Sequence, residues 1–239
     1  MGNVTETAEH VRRLFMIGTR GLTSHLLADS LSFSWHWAMP KAETFDIPII
    51  GQFVQRYLQQ SEVSVDPFAR DKRWAKHTND LNPATAAEHH MDAAEFLKML
   101  HAQGVKPDLI ILDPPYGARQ IVDCYAAMGL DEATRAAVKA RKPTQNVSWH
   151  DAKDAAAEMQ SAGGIVLTFG WNSNGMSRSR GYAMREIMLV RHGGGRNDTI
   201  CTAEVKLEDP QGRLDFGTAN APRERAAAAD ATLQADVGT

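Results

Sequence analysis

A chain of 239 residues, 43% of them hydrophobic, can bury one sizeable core or a core with a small appendage. Its formal charge of −3 excludes a global pull toward polyanions, so a nucleic-acid partner would have to meet a local basic surface. Cys124 and Cys201 lie far apart, follow no metal-ligand spacing, and read as reduced thiols of a cytoplasmic protein. No run approaches the ~18 apolar residues of a membrane span, and the N-terminus has no signal-peptide apolar region.

Residues 1–30 carry apolar side chains at helical spacing. Residues 31–46 are aromatic-rich and read as irregular. A helix follows over 47–60, opened by Pro48. SEVSVDPFA (61–69) and AKHTNDLNP (75–83) each read as a short strand running into a turn. AAEFLKMLHAQG (93–104) is a helix closed by Gly104. DLIILDPPY (108–116) is a strand whose continuous apolar run suits the middle of a parallel sheet. Helical segments are expected at 125–129, 131–141 and 150–164. IVLTFGW (165–171) is a further central strand, and 185–206 is two strands around a glycine-rich turn. Strand–helix alternation closed by a hairpin predicts an α/β, doubly wound, mostly parallel sheet with an antiparallel C-terminal end. The tail beyond Pro210 has few large apolar residues and reads as flexible.

Ligands of open α/β sheets bind beyond the carboxyl ends of the strands. Aspartates crowd such ends here: Asp66, Asp80 and Asp113, with Asp92 before a helix. Asp80 at the end of a second strand can accept from both hydroxyls of a ribose, or can simply close a turn. Asp92 reads equally as a helix N-cap. Asp113-Pro114-Pro115-Tyr116 is more specific. The prolines bring no N–H and fix two φ angles, so backbone carbonyls beside the Asp113 carboxylate stay free as acceptors. Two neighbouring acceptors suit an exocyclic amino group, and Tyr116 offers a face for a flat ring.

The tetrapeptide after an apolar strand resembles the fourth motif of S-adenosylmethionine-dependent adenine-N6 methyltransferases, which mostly act on DNA. Trp37–Pro40 through Thr44 and Phe45 look like that family's block before the first cofactor strand. Asp66, Pro67 and Phe68 look like the first half of its cofactor loop. Thr78–Pro83, with Asp80 and Leu81, looks like the ribose turn, and His90–Ala93, with Asp92 and Ala93, like the adenine corner. The likeness covers about residues 35–205 and is strongest to phage and prophage enzymes. It implies a Rossmann-like class I methyltransferase domain over 35–209, behind an N-terminal helical segment (1–34) and before a tail (210–239). It further implies Asp113, Pro114, Pro115 and Tyr116 as catalytic residues and S-adenosylmethionine as cofactor, with neither metal nor membrane partner. One departure stands out. Glycines usually follow in the cofactor loop, but Ala69-Arg70-Asp71 stands here.

Candidate DNA-contacting segments are 117–162 and 172–182. Arg119 and Gln120 are best placed for the target strand; Lys139, Arg141, Lys142, Arg178 and Arg180 could meet phosphates. The expected activity is methylation of adenine N6 in DNA at a short or relaxed site, with a homodimer possible. RNA adenine methylation and a weakly active nucleic-acid-binding protein are the alternatives.

Overall fold

The computed structural model describes residues 31–116, 149–171 and 175–208. Seven strands form one sheet in the order β1-β6-β7-β5-β4-β2-β3. In chain order they are β1 (Ser32–Trp37), β2 (Ser64–Asp66), β3 (His77–Thr78), β4 (Leu109–Leu112), β5 (Ile165–Gly170), β6 (Tyr182–Arg191) and β7 (Thr199–Lys206). Every pairing is parallel except those of β7, which runs antiparallel to both β5 and β6. An isolated parallel bridge from Asn79 to His89 extends the sheet past β3. A parallel sheet with one antiparallel strand inserted next to its last crossover is the Rossmann-like class I methyltransferase arrangement.

Among the described residues, three α-helices cover the sheet: α1 (Pro48–Leu58), α2 (Ala93–Ala102) and α3 (His150–Met159). Pro48 opens α1, where its missing N–H costs nothing. α1 lays Ile50, Phe53, Val54 and Tyr57 on one face, against Leu109, Ile111, Leu167, Phe169, Met188, Val190, Cys201 and Ala203. α2 and α3 cover the other face, where Phe96, Leu97, Leu100, Ala156 and Met159 meet Val65, Ile110, Leu112 and Val166. The alternation in β4 and β5 follows from the two-residue period of a strand. β4 is buried throughout because both its faces are covered. The hairpin turns through Gly193, Gly194 and Gly195, all at positive φ (64°, 60° and 74°), which glycine adopts without steric cost.

Two element expectations are corrected. Residues 32–37 form an edge strand. SFSWHW alternates small or polar with aromatic residues at period two, but the aromatics point outward, which inverts the usual pattern. β6 begins at Tyr182, three residues early, and a bulge between Met184 and Glu186 keeps Glu186 on the α1 face. There its carboxylate accepts from Arg56 Nη2 and Tyr57 Oη, both at 2.7 Å.

Candidate active site at the carboxyl ends of β2, β3 and β4

The parallel strands all end on one rim, which carries the aspartates. Asp66, last residue of β2, is buried, and one carboxylate oxygen accepts from the Phe68 N–H at 2.9 Å. Burial first, then the charges of Asp113 and Asp80, push its carboxyl well above the ordinary range. Asp80 follows β3. Its Oδ1 accepts from the Asn82 N–H (2.8 Å) and its Oδ2 from the Arg70 N–H (3.1 Å). The carboxylate therefore closes its own turn and holds the neighbouring loop. An ionised carboxylate has about four lone-pair sites, so each oxygen keeps capacity for another donor. Burial raises the Asp80 pKa as well. Leu81 beside it is half-buried. Asp92 caps α2, its Oδ1 accepting from the Ala94 N–H at 2.9 Å and more weakly from Glu95 at 3.4 Å, and Ala93 is buried as the first helical residue.

Asn79 joins these loops. It is fully buried, and its amide donates to the carbonyls of Pro67 (3.1 Å) and Met91 (2.9 Å) while its Oδ1 accepts from the Met91 N–H (3.0 Å). One side chain thus ties the Asp66–Pro67 corner, the Asp80 turn and the Met91–Asp92 corner together. Its signal in the sequence was only its place beside Asp80.

The glycine-free loop takes the conformation that glycine would have made easy. Arg70 sits at φ 50°, left-handed backbone that a residue with a Cβ enters at a cost on the order of 1–2 kcal/mol. Its N–H is held by Asp80 and its guanidinium by Glu43 at 2.8 Å, both of which offset that strain.

At the end of β4, Asp113 is held by its own tetrapeptide. The Tyr116 hydroxyl donates to Asp113 Oδ1 at 2.5 Å and lies 3.1 Å from the Thr44 hydroxyl. Burial pushes the Asp113 carboxyl up to about 6, against hydrogen bonds from Tyr116 and Thr44 that lower it. Pro114 is buried and Pro115 half-buried. The Tyr116 ring meets the Trp171 ring edge-on, centroids 5.7 Å apart, at the end of β5. Trp171 and Asn79 are rim residues that the sequence reading passed over. Next to Pro114 a narrow cleft is lined by Phe68, Leu112, Trp149, Lys153, Thr168 and Phe169 among others, with Phe68 edge-on to Trp149 at 5.2 Å.

Three further expected site residues have these surroundings. Phe45 is a core residue, stacked on Trp74 (5.8 Å) and edge-on to Phe169 (5.1 Å). Arg178 and Arg180 lie in a 3-10 turn that leads into β6 through Gly181, and Arg178 is exposed. Arg180 is also spent internally, on Asp154 (2.6 Å), the Met176 carbonyl (3.1 Å) and His150 Nδ1 (2.8 Å). Arg119, Gln120, Lys139, Arg141 and Lys142 lie outside the described residues. Among the described residues no group of three His, Cys, Asp or Glu could hold a metal, and no helix is long and apolar enough to cross a membrane.

No protein-family model and no curated protein matches the chain. Solved structures do. TrmN from Thermus thermophilus is 15% identical, with 67% of this chain and 49% of that one covered at a TM-score of 0.42. SMU.776 complexed with SAH is 14% identical, with 64% and 48% covered at 0.43. The N-methyltransferase NodS from Bradyrhizobium japonicum WM9 is 11% identical, with 70% and 99% covered at 0.42. The chain spans about half the length of the first two. Likeness at this level adds nothing to the sheet order, which itself establishes the fold.

Proposed function

We propose that the protein transfers a methyl group from S-adenosylmethionine to the N6 amino group of adenine in DNA. The observation that carries this reading is the end of β4: an acidic acceptor, a proline-fixed corner and a tyrosine anchored by Thr44, on a rim crowded with carboxylates. The rim suits such a cofactor on its own chemistry. Buried carboxylates that raise one another's pKa favour a cationic, polyhydroxylated ligand, and apolar side chains, Phe68, Leu112 and Phe169 among them, line the cleft beside Pro114. Asp66, Phe68, Asp80, Leu81, Asp92 and Ala93 would hold it. When bound, it supplies an electrophilic methyl on a sulfonium leaving group.

The chain's own residues do the rest. An adenine amino nitrogen is a poor nucleophile because its lone pair is delocalised into the ring. Its two hydrogens would donate to the Asp113 carboxylate and the Pro114 carbonyl, which favours a pyramidal nitrogen with its lone pair aimed at the methyl. Tyr116 would hold the ring, taken out of the duplex so that the nitrogen can reach the site. Asp113, poised at about 6, is the acceptor in reach for the proton that the methylated nitrogen sheds. Asp rather than Asn at the head of the tetrapeptide favours DNA adenine over RNA or protein, within the family resemblance. Tritiated methyl transfer to unmethylated DNA, RNA and protein, followed by nucleoside analysis, tests this. N6-methyladenine in DNA is the expected product; label confined to RNA or protein would overturn the substrate, and no binding of S-adenosylmethionine by calorimetry would overturn the activity.

A further inference from the structure

The site leaves one conspicuous surface unexplained, at the far edge of the sheet. Phe33, Trp35 and Trp37 occupy alternate positions of β1 and are 62%, 61% and 62% exposed. In register beside them on the same face stand Ile187 and Leu189 of β6 and Ile200 of β7, all half-buried. This is the face that α2 and α3 cover farther along, over β2, β4 and β5. Over β6 and β1 no described element lies on it, and only the Arg191 guanidinium reaches across, 5.9 Å above the Trp35 ring. Three large aromatics in a row on an unpaired edge strand invite aggregation unless something covers them.

We propose that residues 1–30 of this same chain lie across this face as an amphipathic helical segment, making it the missing layer of the sheet. The argument is one of tether, length and composition. Leu31 is one residue from β1, so the segment enters beside the stripe and its effective concentration there is high. Six strand residues span roughly 20 Å, a length that about 13 helical residues match, so thirty are ample. Val11, Leu14, Phe15, Leu22 and Leu26 recur at helical spacing and can supply an apolar face, with Arg12, Arg13 and Arg20 among the polar positions between them. The other terminal segment beyond the described residues, 209–239, is a poor match. It is rich in alanine and has Leu214, Phe216, Leu233 and Val237 as its only large apolar side chains. The stripe is also too apolar for nucleic acid: Arg191 is the one cation among its six apolar members.

Hydroxyl-radical footprinting of the full chain, read by peptide mass spectrometry at a concentration where sedimentation shows a monomer, tests this. Trp35 and Trp37 should be labelled several-fold more slowly than in the unfolded chain. A Leu14→Ser/Leu22→Ser/Leu26→Ser variant should lose that protection, while labelling of Trp171, on another part of the molecule, stays unchanged. Should that variant fail to fold, the reciprocal Trp35→Ser/Trp37→Ser chain serves. Its substitutions are at exposed positions, and it should speed amide hydrogen exchange across residues 8–27. Full labelling of both tryptophans in the wild-type monomer overturns the proposal. So does protection that grows only with protein concentration, which would assign the face to a second copy, or only on adding duplex DNA.

Discussion

The two halves of the sheet are built on different terms. β2, β3 and β4 have three, two and four residues, and β5, β6 and β7 have six, ten and eight. In the long half, strand pairs with strand, and the backbone satisfies itself. In the short half, several backbone donors and acceptors beyond the few ladder bonds go to Asp66, Asn79, Asp80 and Asp92 side chains. The short half thereby gains a rim of side chains fixed and oriented by backbone contacts. The cost is that single side chains carry its architecture. In the long half the buried Glu204 carboxylate of β7 is the comparable case, accepting from the Met176 and Ser177 N–H groups.

The sharpest break in that comparison is expected at Asp113. Asp113→Ala should lower turnover about 10²-fold or more, as when a preorganised electrostatic partner is deleted, with little change in S-adenosylmethionine affinity by calorimetry. The same group should set opposite pH trends. Ionised Asp113 is the acceptor, so turnover should fall as pH drops through about 6. Its folded pKa is raised, so its contribution to stability is fully present below the unfolded value and is lost as pH rises through about 6. An Asp113→Asn chain should therefore gain in thermal stability on the wild type above pH 6 and lose that gain near pH 4 and below. A wild-type and variant difference that is flat with pH would refute the assignment.

Asn79→Ala should be the costliest change to stability on the rim, roughly 2–4 kcal/mol, because it strands three buried backbone partners at once. Denaturant melts would show it. A loss below 1 kcal/mol would mean that the loops hold without their staple. Asp80→Ala should weaken S-adenosylmethionine binding by about 1.5–3 kcal/mol, the range for hydrogen bonds to a charged group. Unchanged affinity with an intact fold would leave Asp80 a turn residue only. The smallest effect is reserved for the long half. Arg180→Ala should cost about 1 kcal/mol of stability through its hydrogen bonds, yet leave DNA affinity and its salt dependence untouched. A shallower salt slope would return that turn to the DNA-contacting surface.

What the sequence disclosed follows the same division. The doubly wound architecture was legible because β4 and β5 are continuous apolar runs and the hairpin is marked by three consecutive glycines. Helices α1 and α2 declared themselves through Pro48 and the Asp92 cap. Asp66, Asp80 and Asp113 stood out because one acid at a strand end is commonly a cap, whereas a series in successive units is harder to dismiss. Hidden from the sequence was whatever depends on which way a side chain points. Phe45 stands in a cofactor-like block, yet its ring turns into the core. Nothing in the sequence around Arg180 shows that Asp154 and His150 hold its guanidinium. β1 was obscured because its apolar residues face outward. Arg70 shows a subtler limit: the loop without glycine keeps the left-handed backbone, because tertiary bonds can hold a conformation that local preference disfavours.

Cys201 is the third residue of β7, opposite Phe169 on one side and Met188 on the other, with no exposed surface. Burial holds its thiol well above the ordinary range, so in the closed sheet it is both shielded and protonated. An alkylating reagent can reach it only when β7 parts from its neighbours. The chain therefore carries its own clock at the seam where the one antiparallel strand is inserted. The rate at which the Cys201 peptide gains mass, read separately from that of Cys124, times the opening of the sheet's centre, and a ligand that braces the rim should slow it.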